Sequence, residues 1–179
     1  DECRMDPGGY FIINGSEKTC LGQEKAADNK IYVFKTKKTG KWSHSAEMRC
    51  VPYWKVISPK QIYIMISAKQ EHMGYPIYIM IPKLKKPIPL FVLFRCLGIQ
   101  SDKEICEYIL LDIKNEKSQK MMKFLKATIL LGHEHMNYED CIQYVKSSVI
   151  YTPINMTHEE GEKKKTDFTH DILNNDLFP

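Results

Sequence analysis

Apolar and polar positions along the chain change rhythm near its middle. Up to about residue 82 the apolar residues come in short runs rich in β-branched and aromatic types. Gly9-Tyr10-Phe11-Ile12-Ile13 reads as a strand stopped by Asn14-Gly15, a dipeptide that readily takes positive φ in a tight turn. Ile31-Tyr32-Val33-Phe34 predicts another short strand, ended by the Lys-rich stretch 35–41. Residues 61–66 and 75–81 predict antiparallel partners joined by the polar stretch 69–74. Pro76 and Pro82 place a break or a sheet edge there, because proline has no N–H to give to a ladder.

From Pro87 onward the spacing turns helical. Pro89 sits where a first-turn proline is tolerated, and residues 90–97 predict two buried turns ending at Gly98. Ser101-Asp102-Lys103-Glu104 has the form of a capping box, with Ser101 as N-cap and Glu104 at the third helical position. It opens a helix through Leu111, with Ile105, Ile109 and Asp112 expected on one face. A third helix is predicted over 116–131, stopped by Gly132. Its apolar set of Met121, Phe124, Leu125, Thr128 and Ile129 follows i, i+3, i+4 spacing. A fourth begins at Asn137 and carries Cys141, Tyr144, Val145 and Val149. Residues 152–165 read as a polar, charged loop, and 167–176 as a short last helix. An antiparallel β-rich first half (about 1–82) followed by four to five helices (about 88–176), without alternation, predicts an α+β fold.

Composition narrows the class without naming a chemistry. With 43% hydrophobic and 27% charged residues in 179, the balance is that of an ordinary globular domain. The longest apolar run, residues 88–94, is too short to cross a membrane, which needs roughly 20 apolar residues. No apolar segment follows the charged start Asp1-Glu2-Cys3-Arg4, and the first residue is not Met, so the expectation is a piece of a longer intracellular chain. Cys96 and Cys106 lie among apolar neighbours, so they are expected to be small buried hydrophobes with free thiols, in a reducing compartment.

Net charge is only +4, but it is uneven. Lys30, Lys35, Lys37, Lys38, Lys41, Arg49, Lys55 and Lys60 face Glu47 alone over residues 30–60, and Lys83, Lys85 and Lys86 form a second basic knot. Such an excess can steer a phosphate backbone, or can simply solvate a strand-and-loop face. Catalytic patterns are missing. His133-Glu134-His135 places its histidines two apart, which on a helix diverge, and no third metal ligand is evident. Asp102, Glu104, Glu107 and Asp112 read as solubilising decoration of one short helix, and Ser101 has no histidine partner. There is no phosphate-binding glycine loop and no D-x-D cluster for two metals.

One stretch is more specific. Gly8-Gly9-Tyr10-Phe11-Ile12-Ile13-Asn14-Gly15-Ser16-Glu17-Lys18, followed by Gln23-Glu24-Lys25, strongly resembles the G-G-Y-F-I-[IV]-N-G-x-E-[KR] signature of the second-largest subunit of multisubunit DNA-directed RNA polymerases. Ile88-Pro89-Leu90-Phe91-Val92-Leu93-Phe94-Arg95-Cys96-Leu97-Gly98 looks like the I-P-[IL]-x-x-[IL]-F-R-A-L-G segment of the eukaryotic type, and Ser101-Asp102-Lys103-Glu104-Ile105 like the helix start after it. Asn175-Asp176-Leu177-Phe178-Pro179 is similar to the E-x-[LF]-[LF]-P-H that closes the same region. Thr19-Cys20-Leu21-Gly22 departs from the usual V-L-I-A run after Lys18.

The resemblance implies a non-catalytic segment of a nucleotidyltransferase: residues 1–28 as the end of the protrusion domain and 29–179 as the lobe, one wall of the DNA cleft. Implied partners are the largest polymerase subunit, the rest of the second-largest subunit, DNA held by its backbone, and initiation or elongation factors. No cofactor is implied in this piece; the parent enzyme's magnesium sits mainly on the largest subunit. The implied setting is the nucleus, or a virion or cytoplasmic viral factory, and abundant Lys and Ile suit a large DNA virus or an AT-rich unicellular eukaryote. Asn14, Lys18 and Gln23 match the cleft-facing strip. With Lys35, Lys37, Lys38 and Lys41 of the basic loop they are the candidate nucleic-acid contacts, Lys18 first. Arg95 is expected to pair inside the domain. The rival reading is a free-standing protein-interaction module with no nucleic-acid role.

Overall fold

The computed structural model describes residues 3–36, 40–71, 73–152 and 154–179. It begins with a hairpin of β1 (Tyr10–Ile13) and β2 (Ser16–Thr19). The register pairs Ile13 with Ser16, so Asn14-Gly15 is a two-residue loop with φ of 53° and 74°. Two positive φ values make a type I′ turn, whose twist matches that of the flanking strands. Asparagine and glycine are the residues that enter that region at least cost. The hairpin shares no strand with the second sheet, and its Phe11, Ile12 and Ile13 are all exposed.

The second sheet is an antiparallel meander of β3 (Ile31–Lys35), β4 (Trp42–Cys50), β5 (Lys60–Ser67), β6 (Ile77–Met80) and β7 (Ile88–Pro89), in that order. The predicted partnership of the third and fourth apolar runs is present, with Tyr63 opposite Met80 and Ile66 opposite Ile77. Proline 89 lies in the outermost, two-residue strand, where its missing N–H disturbs no inner ladder. The strand β4 has little apolar alternation and was not foreseen. It is held by neighbours on both sides, with Ala46 opposite Val33 on β3 and Ile64 on β5.

Five helices follow: α1 (Leu90–Cys96), α2 (Asp102–Leu110), α3 (Glu116–Gly132), α4 (Tyr138–Ser148) and α5 (His158–Asp171), closed by a π-helical turn, Ile172–Asp176. The fold is α+β, as the pattern predicts. Helix α1 ends where Gly98 takes φ 97°; its N–H bonds the Arg95 carbonyl and the Ile99 N–H bonds that of Phe94, each at 3.0 Å. That is a Schellman stop, and glycine enters its left-handed position without strain. The main core joins Ile62, Ile79, Ile81 and Ile88 of the sheet region to Val92 of α1, Val145 of α4 and Ile172. A second cluster packs Phe91 of α1 against Ile105 and Cys106 of α2 and Leu125 of α3.

Four sequence expectations are corrected. Residues 152–165 are not all loop: α5 starts at His158, capped by Thr157 and Glu160 in a reciprocal capping box. Its sequence hides the helix because only Gly161 and Thr169 are buried along it. The separate last helix is instead the end of α5 running into the π-turn. The expected box at Ser101 is not formed, since that side chain makes no cap bond. On α3, Leu125 and Thr128 are buried as expected, yet Met121 and Phe124 are 56% and 73% exposed. The other elements cover only the C-terminal half of that stripe.

Candidate nucleic-acid interface

Lys18 lies on β2 opposite Phe11, so the two share a face of the hairpin, while Glu17, opposite Ile12, projects from the other face. Lys18 is exposed and makes no ion pair among the described residues. The I′ turn fixes the strand register and so the side from which this ammonium projects. Asn14 forms the turn itself, and Gln23 is exposed in the extended stretch that follows β2.

The basic run of residues 30–60 divides into two kinds of cation. Arg49 is 3.3 Å from Asp28, which also holds Lys25 at 3.0 Å. Lys60 and Lys83 converge on the 4%-exposed Asp176, at 2.6 and 2.5 Å. Burial would raise the Asp176 carboxyl, but hydrogen bonds and charge from Lys60 and Lys83 outweigh it and hold the group below the usual carboxylate range. These cations serve the fold. Lys30, Lys35, Lys41 and Lys55 remain exposed, without ion pairs among the described residues. Lys35 ends β3 opposite His44, and Lys41 sits 4.9 Å over the Trp42 ring at the start of β4. They flank one strand connection; Lys37 and Lys38 lie outside the described residues. The structure thus brings Lys35 and Lys41 to one end of the β3–β4 pair and puts Lys18 and Asn14 on a hairpin that shares no strand with that sheet.

The histidine pair is structural. The His133 Nε2 is 2.7 Å from Asp102, and the His135 ring stacks on Tyr144 at 4.4 Å between centroids. Asp102 therefore does more than solubilise α2. Its other oxygen bonds Arg95, which is fully buried and also donates to the carbonyls of Gly132 and His135, the latter at 2.7 Å. Arg95 pairs inside the domain, as expected. Among the described residues no group of three or more His, Cys, Asp or Glu is placed to hold a metal ion, and no helix is long and apolar enough to cross a membrane. Cys96 and Cys106 are buried. The hydrogen bond with Cys141 and burial push the Cys96 thiol well up.

The sequence expectations contain no mention of one regular run of lysines, which winds around α3. Lys114, Lys117, Lys120, Lys123 and Lys126 recur every third residue and are all exposed, on α3 or one residue before its N-cap. The spacing is visible in the sequence, but apolar periodicity does not reveal it.

The chain is an α+β domain, a helix-backed antiparallel meander preceded by an I′ hairpin, with exposed lysines on both. The family model for RNA polymerase Rpb2, domain 2, matches residues 27–179. The chain belongs to that family. It is 35% identical to the DNA-directed RNA polymerase II subunit RPB2 of Encephalitozoon cuniculi, over 99% of this chain and 14% of that protein. Against the DNA-directed RNA polymerase II subunit 2 of Arabidopsis thaliana identity is 31%, over 99% and 15%. The DNA-directed RNA polymerase subunit 2 of Acanthamoeba polyphaga mimivirus is 32% identical over 64% of the chain and 9% of its own length. The chain therefore spans about one seventh of the two cellular relatives.

Proposed function

We propose that this chain is a segment of the second-largest subunit of a DNA-directed RNA polymerase, acting in a nucleus or a viral setting as a wall of the nucleic-acid cleft. Residues 1–28 would end the protrusion and 29–179 form the lobe. The observation that carries the reading is family membership across 27–179, joined to the intact signature hairpin that presents Lys18. The segment works by shape and positive potential. Bond formation would fall to other parts of the enzyme.

An exposed ammonium on a rigid hairpin can hold a backbone phosphate as a point charge without reading bases. Lys35 and Lys41 would add a second cationic station at the β3–β4 end, and the outer helices offer a docking face for initiation or elongation factors. In the assembled polymerase, Lys18→Ala is expected to weaken elongation complexes and to lower the slope of log K against log salt by roughly 0.9 on duplex, or about 0.7 on a single strand. Complex lifetimes measured across a salt series check this. An unchanged lifetime and slope would remove Lys18 from the interface.

A further inference from the structure

On the face of α3 that carries Lys123 and Lys126 lies a shallow groove of about 340 Å³. Met122, Ile129 and Leu130 give it an apolar floor, and Lys123, Lys126 and Gln119 its polar lining. Met122 and Ile129 also pack on the second core cluster, so the groove floor is anchored to the fold. At 3.6 residues per turn the five lysines wind around α3, and only Lys123 and Lys126 border the groove; Glu116 holds Lys120 at 2.8 Å, while Lys123 and Lys126 make no ion pair among the described residues. Like charges three apart on a helix repel one another. The arrangement is therefore costly alone and is relieved by a partner that brings carboxylates.

We propose that this groove binds an acidic amphipathic helix of a partner polypeptide. The floor runs from Met122 to Ile129, seven residues or about 10 Å of helix, which matches the i to i+7 stripe of an approaching helix. Carboxylates flanking that stripe then meet Lys123 and Lys126. Duplex DNA fits less well: its phosphates pair with the lysines, yet nothing on its backbone covers Met122 or Leu130. The inference deepens the factor-docking half of the function proposed above and rests on it; the cleft role of Lys18 is independent.

The test uses the polymerase containing this chain and an 18-residue fluorescein-labelled probe. The probe has Leu at alternating three- and four-residue spacing, Glu elsewhere, and one photoreactive benzophenone in the apolar stripe. Crosslinks are expected within residues 119–130, and the double variant Lys123→Glu/Lys126→Glu is expected to raise Kd at least tenfold. Leu130→Gln, with an unchanged circular dichroism melt, is expected to raise it severalfold. A peptide of the same composition with scattered Leu should bind at least tenfold more weakly. The proposal is overturned by an unchanged Kd in the double variant, by equal binding of the scattered peptide, or by crosslinks elsewhere. It is equally overturned if duplex DNA, in place of the probe, shields Lys123 and Lys126 from acylation, or if a second copy of the chain occupies the groove. The Lys18 salt series reads the cleft proposal separately, so either can fail without the other.

Discussion

Arg95, on α1, is fully buried. Taking a guanidinium out of water is expensive unless several acceptors surround it. Here Asp102 supplies charge, the Gly132 carbonyl at the end of α3 supplies an acceptor with no partner inside that helix, and the His135 carbonyl in the connection to α4 supplies another. One side chain thereby ties α1 to the start of α2, the end of α3 and the turn before α4. Gly132 makes the approach possible. A Cβ there would stand 2.8 Å from the Phe91 Cβ and 3.3 Å from the Arg95 guanidinium. Its φ is ordinary, so the requirement is one of space, not of backbone freedom. Gly132→Ala is expected to destabilise the domain by about 1–3 kcal/mol through overpacking, with Gly98 untouched. Urea unfolding of the two proteins measures the difference.

Among the elements, the π-turn is the most conditional. It sits at the end of a polar helix and is held by Ile172 and Leu177 in the core and by Asp176 between Lys60 and Lys83. Because the folded Asp176 carboxyl lies below its unfolded value, its stabilisation is fully present above about pH 4. It is lost as pH falls through the depressed folded value. Asp176→Asn is expected to cost about 1–2 kcal/mol at pH 7, since Lys60 and Lys83 keep partial access to water after losing their acceptor. Below pH 4 the gap between the two proteins should narrow. Thermal melts from pH 7 to pH 3 check both the size and the sign. Capping explains α5 in the same terms: Thr157 and Glu160 start a helix that an apolar face could not have announced.

At the scale of the whole molecule, hairpin and helix-backed sheet are separately built. The bonds that anchor the start of the larger unit include that of the Ala27 carbonyl, which accepts from the Tyr32 hydroxyl at 3.2 Å, the pair of Asp28 with Arg49, and bonds of 2.7 and 2.8 Å between the Asn29 side chain and the Val51 backbone. A chain starting at Lys25 is therefore expected to keep cooperative unfolding, with a melting temperature within about 4 °C of the full chain, a shift worth about 1 kcal/mol at most. Calorimetry decides it. Loss of cooperativity would mean that the hairpin belongs to the same folding unit. The exposed Phe11, Ile12 and Ile13 fit a hairpin whose apolar sides meet other parts of a larger protein.

Local chemistry determined much of this protein by itself. Asn14-Gly15 dictated a I′ turn, Gly98 a helix stop, and the apolar runs at β5, β6 and α1 their own burial, because each depends on backbone sterics or short-range periodicity. The signature residues around Lys18 were legible for the same reason, being contiguous. What needed the folded chain were the pairings between distant segments. Strand β4 owes its existence to neighbours on both sides; Asp102 turned from a surface acid into the partner of Arg95 and His133; Lys60 and Lys83 were withdrawn from the basic surface by Asp176. Charges attract over space, not along sequence, so only the tertiary structure could separate the lysines that hold the fold from those left facing solvent.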